Sequence, residues 1–419
     1  MKIVKVRART IVDSRAEWAV EADVYSEDGT MGRASIPYGK SRGKYEAKIV
    51  PPKKAAENIN SEIAKAVIGM DVSGQKALDE KMMKLDGTED KSRLGANAIL
   101  PVSIAAAKCA AANEDMELFE YFGELIGNNK FRPPIPLIDI LMGGLHRVIG
   151  QERAEKTADN FQNTQLVFTK AKSFREATEM GRDVYRALRD IILKEQGPDR
   201  ATVGEDGGFA AFTGNRGLME LAERSIESVG FNPKEVGIFP DAAASHWLTT
   251  ESKYTVDGKI MSTGELLDFY MELIKDFNMY GFEDPFGEDD LEGYQEFMKK
   301  VGDRTIVQGD DWTVTNPKRL RSHIENKACN SLLIKLNQIG TLSEGLECVE
   351  IGLKNDVVPT PSHRSGETED TFVSDLAAAI PHKHPKFPVM QKIGAPSKGE
   401  RVAKYNRNLR IEEYLSEEG

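Results

Sequence analysis

The last two thirds of the chain repeat one pattern, in which a short apolar strand ends in a polar or charged residue and an amphipathic helix follows. After a first interval of 42 positions the strand-ending residues recur every 25 to 29 positions. They are Asp241, Glu283, Asp310, Lys335, His363 and Lys392. A βα unit that repeats at this period, with parallel strands, closes into a (β/α) barrel whose strand ends meet at one mouth. We therefore predict an α/β fold whose polar strand ends converge on an active site.

The beginning of the chain follows a different pattern. From residue 3 to about 49, apolar and polar residues alternate, as in strands joined by turns such as Glu27-Asp28-Gly29. Helices are predicted where Ala-rich apolar faces have few breakers, over 53–69, 73–85 and 92–112. A Gly-Asn-Asn and a Pro-Pro sequence between 127 and 134 form a linker. We predict an α+β capping domain over 1–130 and the barrel domain over 135–419.

Composition and charge exclude several classes of protein. Hydrophobic residues make up 40% of the 419 positions, which is enough for a large core and rules out wholesale disorder. The net charge of −11 argues against a nucleic-acid or anionic-membrane binder. Cys109, Cys329 and Cys348 are far apart and odd in number, as expected of reduced core residues. With no apolar run of about 20 residues and no signal-peptide pattern, we predict a cytoplasmic protein without a membrane partner.

Three successive strands end in carboxylates, the hard oxygen ligands that Mg²⁺ prefers. Any one of Asp241, Glu283 and Asp310 alone would be better explained as a cap for the following helix. Three in register, facing two lysines and a histidine, indicate a magnesium site with open positions for water and substrate oxygens.

Two lysines accompany these acids. Lys335 lies inside the apolar strand SLLIKLN and Lys392 ends the strand FPVMQK. A lysine buried without a partner is costly, but one that points inward beside metal-bound carboxylates is tolerated. A nearby Mg²⁺ would lower its pKa toward use as a general base. The alternative is a structural ion pair with one of the acids.

His363-Arg364-Ser365-Gly366 is expected to end a strand and to open a helix from Glu367. Backbone N–H groups, the Arg364 guanidinium and the Ser365 hydroxyl would then form a phosphate cradle. The tetrapeptide alone is a weak signal, because many strand-to-helix turns have a similar composition.

Long stretches of sequence resemble the enolase family, and the resemblance runs nearly end to end. They are DSR at 13–15, LDGTEDKSRLGANAIL at 85–100, FEDPF at 282–286, GDDWTVTNPKRL at 309–320, IKLNQIGTLSE at 334–344, SHRSGETEDTF at 362–372 and ERVAKYNRNLRIEEYL at 400–415. The family has an N-terminal α+β domain and a C-terminal modified (β/α)8 barrel of the TIM type. It interconverts 2-phosphoglycerate and phosphoenolpyruvate, and its superfamily uses a Lys or His base with one or two Mg²⁺ ions.

The resemblance implies a role for each matching metal ligand. Asp241, Glu283 and Asp310 would bind the tighter Mg²⁺, and Ser41 would help to ligate a second Mg²⁺ that arrives with the substrate. A cofactor of this kind explains the residue types, because a proton beside an ionised carboxylate is a very weak acid.

The resemblance also assigns the groups around the substrate. Lys335 would remove the proton at C2, and Lys392 with the metal would stabilise the aci-carboxylate intermediate. Arg364 and Ser365 would hold the phosphate, and Gln162 would touch the substrate carboxylate.

Two histidines and a cross-subunit pair complete the implied set. His146 and His363 would line the pocket. Enolases are dimers, and Glu21 with Arg410 matches a family contact between subunits, so a homodimer is predicted.

The resemblance fails around the departing C3 hydroxyl. Asn163 stands where the family has a glutamate, and Asp206 fills a second acid position with a shorter side chain. A general acid displaced by one methylene misses its proton. Three cations, Lys40, Arg42 and Arg147, are added in nearby loops, and we predict that they and Asn163 bind an extra anionic group.

We interpret the chain as a magnesium-dependent enolase paralogue with altered leaving-group chemistry, for which carboxyphosphonoenolpyruvate synthase is an example. In that case a second, nucleotide-linked anion would be a substrate, and Trp247 or Trp312 could stack on its base. One alternative is ordinary glycolytic enolase, in which Asp206 or Glu205 supplies the acid. Another is a non-catalytic binding protein with the same fold, which the intact acid triad disfavours.

Overall fold

The structure is a computed structural model that describes residues 1–37, 39, 43–144, 159–198, 201–210 and 213–417. It begins with an antiparallel sheet of three strands, β1 (Ile3–Val12), β2 (Trp18–Ser26) and β3 (Met31–Ile36). Side chains alternate between the two faces of a strand, so the paired small and branched residues of β1 and β2 form one apolar face. The helices that follow pack on this face.

The predicted N-terminal helices are present, with small shifts of their ends. They are α1 (Pro52–Asn58), which passes through one π-helical turn (Ile59–Ile63) into α2 (Ala64–Val67), then α3 (Gln75–Asp86) and α4 (Ala96–Asn113). A further helix that the sequence analysis did not predict, α5 (Leu118–Leu125), follows them. Helix α4 lies directly on β3. A Cβ at Gly32 would come within 1.9 Å of the Ala105 carbonyl oxygen, so this close approach requires glycine.

A second sheet holds most of the remaining strands. Among the described residues they are β4 (Ile135–Met142), β5 (Asn163–Val167), β6 (Phe209–Ala210), β7 (Gly237–Asp241), β10 (Gly281–Glu283), β11 (Ile306–Gly309), β12 (Ser331–Ile334), β13 (Val358–Pro361) and β14 (Met390–Lys392). Their order is β13-β12-β11-β10-β7-β5-β4-β14, with β6 beside β4. A parallel bridge between Ser362 and Lys392 joins the two ends of this row. Because β5 runs antiparallel to both neighbours, the predicted modified barrel is confirmed.

Helices alternate with the barrel strands and surround them. They are α6 (Phe174–Gln196), α7 (Asn215–Ser228), α8 (Thr263–Asp276), α9 (Leu291–Val301), α10 (Pro317–Glu325), α11 (Leu336–Ile339), α12 (Leu342–Lys354), α13 (Phe372–Ala379) and α14 (Gly399–Glu417), with a hairpin of β8 (Tyr254–Val256) and β9 (Lys259–Met261) before α8. Helix α8 begins with a capping box, in which Ser262 accepts from the Glu265 N–H and Glu265 accepts from the Ser262 N–H.

The two ends of the barrel differ in polarity. An apolar cluster fills the end where most of the parallel strands begin, and it comprises Leu137, Val167, Phe239, Ile306, Val358, Phe387 and Met390. The polar strand-ending residues lie at the opposite end. The fold therefore separates a hydrophobic plug from a polar mouth, as expected of a barrel enzyme.

Two smaller expectations concern the cysteines and the membrane. Cys109, Cys329 and Cys348 are all buried and unpaired, in agreement with reduced core residues. Within the described ranges, no helix combines the length and the apolar character that a membrane crossing requires.

Candidate active site

A polar cavity of about 410 Å³, open to solvent, lies at the mouth of the barrel. It brings together most of the site residues predicted from the sequence. Its lining comprises Gln162, Asp206, Asp241, Ala243, Asp284, Asp310, Asp311, Lys335, His363, Arg364, Ser365 and Lys392. Asn163 and Glu283 are buried directly beside this lining.

Lys392 is the counterion of two of the predicted metal ligands. Its Nζ donates to Asp241 Oδ2 at 2.8 Å and to Glu283 Oε2 at 2.6 Å. The two carboxylates are adjacent because Asp241 and Glu283 are paired across the parallel strands β7 and β10. Burial alone would lower the pKa of Lys392, but the carboxylates of Asp241 and Glu283 hold it well above its ordinary value. Lys392 is therefore a fixed cation beside these acids.

Lys335 forms the second such pair, with Asp310. Its Nζ donates to Asp310 Oδ2, and Gln338 Nε2 donates to Asp310 Oδ1 at 2.9 Å. Burial would lower the pKa of Lys335, yet the negative charges of Asp310 and Glu283 raise it. The prediction that Lys335 lies inside a strand is wrong: β12 ends at Ile334, and Lys335 is the first residue beyond it. Its backbone is still extended, and its side chain lines the cavity at the mouth.

One further acid, which the sequence analysis did not assign, supports this arrangement. Asp284 accepts from the backbone N–H groups of Asp310 and Asp311, each at 2.8 Å, and from the Tyr294 hydroxyl at 3.1 Å. Burial followed by the charge of Asp310 raises the pKa of Asp284 to about 7. Asp284 therefore fixes the turn that presents Asp310. The signal available in the sequence was the second acid in FEDPF and in GDD, which directly follows Glu283 and Asp310.

The donor set fits a divalent cation. Carboxylate oxygens of Asp284, Asp310 and Asp311 lie within 4.8 Å of one another. Burial and the charge of Asp241 raise the pKa of Glu283 well above its ordinary value. This shift is expected at a site where carboxylates outnumber the neighbouring positively charged groups. Of the three predicted ligands only Asp310 belongs to this group of described residues, so the binding of Mg²⁺ by Asp241, Glu283 and Asp310 stays a prediction.

Arg364 occupies the predicted phosphate side. Its Nη2 donates to Glu46 Oε1 at 3.0 Å and its Nη1 donates to Asn337 Oδ1 at 2.9 Å. The prediction of a helix from Glu367 is wrong, because α13 begins at Phe372 and the Arg364 N–H donates to Glu367 Oε1 instead. No helix N-terminus lies at this turn in the described chain, and the binding of phosphate by Arg364 stays a prediction.

Asn163 and Asp206, which are predicted to lie near the leaving group, are both buried. Asn163 Nδ2 donates to Asp206 Oδ2 at 3.0 Å, and Arg401 Nη2 donates to Asp206 Oδ1 at 3.0 Å. The nearby His363 has a pKa well below its ordinary value, because of burial and the charge of Arg401. The imidazole is therefore neutral at physiological pH.

Several predicted residues lie outside the part of the chain that the structure describes. They are the added cations Lys40, Arg42 and Arg147, the second-metal ligand Ser41, and His146. Their assigned roles stay predictions.

The prediction that Trp247 or Trp312 stacks on a nucleotide base is wrong. Both indoles are buried, at 2% and 3% exposure. Trp312 is stacked between Tyr294, with ring centroids 4.0 Å apart, and His323, at 3.6 Å. Trp247 packs against Phe161 at 5.8 Å. Burial leaves neither ring exposed to a base, and the stacked rings of Tyr294 and His323 cover both faces of Trp312.

The Trp312 stack predicts an acid-sensitive stability. Burial and the charge of Arg319 lower the pKa of His323 to about 3, so the neutral imidazole stabilises the fold above pH ~6.5. That contribution is lost as the pH falls from ~6.5 toward 3, at most about 5 kcal/mol over the whole interval. We expect His323→Phe, which keeps the stack, to flatten this part of the pH dependence of the free energy of unfolding in urea. Parallel curves for the variant and the wild type would contradict the assignment.

Comparisons with known proteins agree on one family. The family model described as "Enolase, N-terminal domain" matches residues 3–122, and "Enolase, C-terminal TIM barrel domain" matches residues 130–419. Two curated relatives, each named Enolase, come from the Twist and TW08/27 strains of Tropheryma whipplei. Each is 40% identical over 423 residues, which covers 98% of this chain and 94% of the relative.

Proposed function

This chain belongs to the enolase family, and from that premise we propose that it eliminates water from 2-phosphoglycerate, with Mg²⁺, to give phosphoenolpyruvate. Membership supports a lyase of the phosphopyruvate hydratase type. The observation that carries the proposal is the convergence of Lys335, Lys392 and the carboxylates of Asp241, Glu283 and Asp310 on one cavity.

Lys335 is the base in this proposal. A proton beside an ionised carboxylate is removed only when the developing negative charge meets fixed positive charge. Bound Mg²⁺ would supply part of that charge, and Lys392 supplies the rest. Asp310 would hold the cation, whose positive charge would lower the pKa of Lys335 toward that of a usable base.

Arg364 and Gln162 position the substrate. The Arg364 guanidinium is buried beside the cavity, and a phosphate there would share it with Glu46. Gln162 lines the same cavity, where its amide can meet the substrate carboxylate. Two fixed contacts at the two anionic ends of a three-carbon substrate would orient C2 toward Lys335.

A second candidate function is group transfer, as in carboxyphosphonoenolpyruvate synthase, with a nucleotide-linked anion as the other substrate. The observation that favours it is Asn163, whose amide lies where the family has an acid. The predicted contribution of Lys40, Arg42 and Arg147 would fit the same reaction.

We also propose a homodimer. Within one chain, the buried Glu21 forms ion pairs with Arg9 and with Arg33, whose Nε lies 3.7 Å from Glu21 Oε1. A contact with Arg410 of a second copy would add a third cation beside this carboxylate. A monomeric mass in solution would contradict this.

The proposed function is tested by the ultraviolet absorbance of phosphoenolpyruvate. We expect the wild type with 2-phosphoglycerate and Mg²⁺ to turn over at ordinary enzyme rates, with kcat of about 1–10³ s⁻¹. Exchange of the C2 proton without phosphoenolpyruvate would favour group transfer. Absence of both activities, with Mg²⁺ still raising the Tm, would favour a binding protein.

A further inference from the structure

A buried acid that the sequence analysis did not single out lies behind the leaving-group side. Asp139 is in β4, within the apolar strand IPLIDILM, and is fully buried. Asn163 Nδ2, which donates to Asp206, also donates to Asp139 Oδ1 at 3.2 Å. One amide therefore connects two buried carboxyl groups.

The second oxygen of Asp139 is aimed at His363. Asp139 Oδ2 accepts no hydrogen bond from any described residue, and it lies 3.9 Å from His363 Nε2. The amide of Gln165, on the paired strand β5, faces the same carboxyl and lowers its pKa without reaching hydrogen-bond geometry. An unpartnered carboxylate oxygen in this position would be costly, whereas a carboxylic acid can donate its proton toward a neutral imidazole.

The charged groups around Asp139 favour this protonated form. Burial, followed by the charge of Asp206, raises the pKa of Asp139 to about 7, and Lys392 only partly offsets the increase. Arg401, on α14, compensates Asp206 rather than Asp139. The remaining titratable groups that face Asp139 are His363 and the Tyr405 phenol.

A metal ion is a poorer explanation of these residues. Oxygen and nitrogen atoms of Asp139, Asp206 and His363 lie within 4.8 Å of one another, which is compatible with a metal ion. However, Arg401 already neutralises Asp206, and the charge of Lys392 also reaches Asp139. A third positive group would meet repulsion with only one carboxylate left to offset it.

We propose that Asp139 is a positioning residue for the departure of the C3 hydroxyl. It provides, from the neighbouring strand, the carboxyl that position 163 lacks, and it holds Asn163 and His363 in place around Asp206. During elimination the electron pair left at C2 forms the C2–C3 double bond, and the C3–O bond breaks with its electron pair on oxygen. The oxygen takes one proton from the group formed by Asp139, Asp206 and His363 and leaves as water. Solvent returns that proton when the product leaves. This inference rests on the proposed elimination reaction.

The test separates elimination from proton removal at C2. We expect Asp139→Asn, which keeps the size of the side chain, to lower kcat for phosphoenolpyruvate formation about 100-fold with little change in KM. It should also remove an ionisation near neutral pH from the kcat profile, while exchange of the C2 proton with D₂O continues. The double variant Asp139→Asn with Asn163→Asp exchanges the carboxyl and the amide across their hydrogen bond. We expect its kcat to be at least about tenfold higher than that of Asp139→Asn alone.

Three results would overturn the inference: an unchanged kcat in Asp139→Asn, an equal loss of exchange and elimination, or no recovery in the double variant. An unchanged Tm shows that Asp139→Asn is folded. Failure of the proposed function gives a different result, since the wild type itself would then form no phosphoenolpyruvate. In that case infrared difference spectra decide, because a carboxylic C=O band that titrates near neutral pH and disappears in Asp139→Asn supports proton storage, and its absence refutes it.

Discussion

Replacing Lys335 with alanine is expected to lower kcat for phosphoenolpyruvate formation by about 10⁴-fold and to abolish exchange of the C2 proton. Lys335 is an amine whose side chain is 11% exposed, directly beside the carboxylates that would hold the metal. Because water is a far weaker base than an amine, it cannot substitute for Lys335 as the acceptor of the C2 proton. Steady-state rates and C2 exchange measured with saturating Mg²⁺ check this expectation.

A matched control is available on the surface. Lys354 forms an exposed ion pair with Glu350 at 3.0 Å, one turn apart on α12, so Lys354→Ala removes an amine without touching the mouth of the barrel. We expect it to keep the wild-type rate. If Lys335→Ala retained more than a few per cent of the wild-type kcat, Lys335 would be a structural ion-pair partner rather than the base.

The second large effect concerns Lys392. It is the only described cation in hydrogen-bond contact with both Asp241 and Glu283, and all three side chains are buried. Lys392→Met would leave two neighbouring carboxylates without a counterion, which costs about 3 kcal/mol of unfolding free energy in the absence of Mg²⁺. We expect the loss in chelator and a substantial recovery in millimolar Mg²⁺, because the cation replaces the missing charge.

Urea unfolding with and without Mg²⁺ measures this difference. The exposed Lys318, which forms an ion pair with Glu89, provides the matched Lys318→Met control, for which we expect no change in either condition. A Lys392→Met protein as stable as the wild type in chelator would contradict the view that Lys392 balances the acids. Stability lost equally in both conditions would argue that Mg²⁺ binds elsewhere.

The barrel could be predicted because its signal is repeated. Each βα unit restates the same order of an apolar strand, a polar end and an amphipathic helix, and the regular spacing allows few other closed folds. The antiparallel β5 was not visible in this pattern. Strand direction depends on how the chain returns to the sheet, and no residue of Asn163–Val167 encodes that direction by itself.

The metal and lysine side of the cavity could be predicted for the same reason. Asp241, Glu283 and Lys392 are the last residues of their strands, so their side chains must lie at the mouth. Lys335 was placed correctly at the cavity despite the error about its strand. The metal-binding role of Asp241, Glu283 and Asp310 stays a prediction that ion binding must test.

Asp139 and Trp312 show what such reasoning misses. Asp139 is a charged residue in a run of apolar ones, the same signal that drew attention to Lys335, but its importance depends on two partners from distant parts of the chain. Trp312 follows a strand-ending acid pair and was predicted to face a ligand. The side chains of Tyr294 and His323 cover it, and this packing appears only in three dimensions.

The central claim is that Lys335 removes the C2 proton of a phosphoglycerate in a magnesium-dependent site, and proton exchange tests it most directly. The wild type would be incubated with 2-phosphoglycerate and Mg²⁺ in D₂O, and the C2 proton signal followed by NMR beside a Lys335→Ala sample. We predict that this signal is lost from 2-phosphoglycerate with the wild type, only when Mg²⁺ is present, and not with the variant. A C2 signal that persists with the wild type, or disappears equally with Lys335→Ala, would contradict the account.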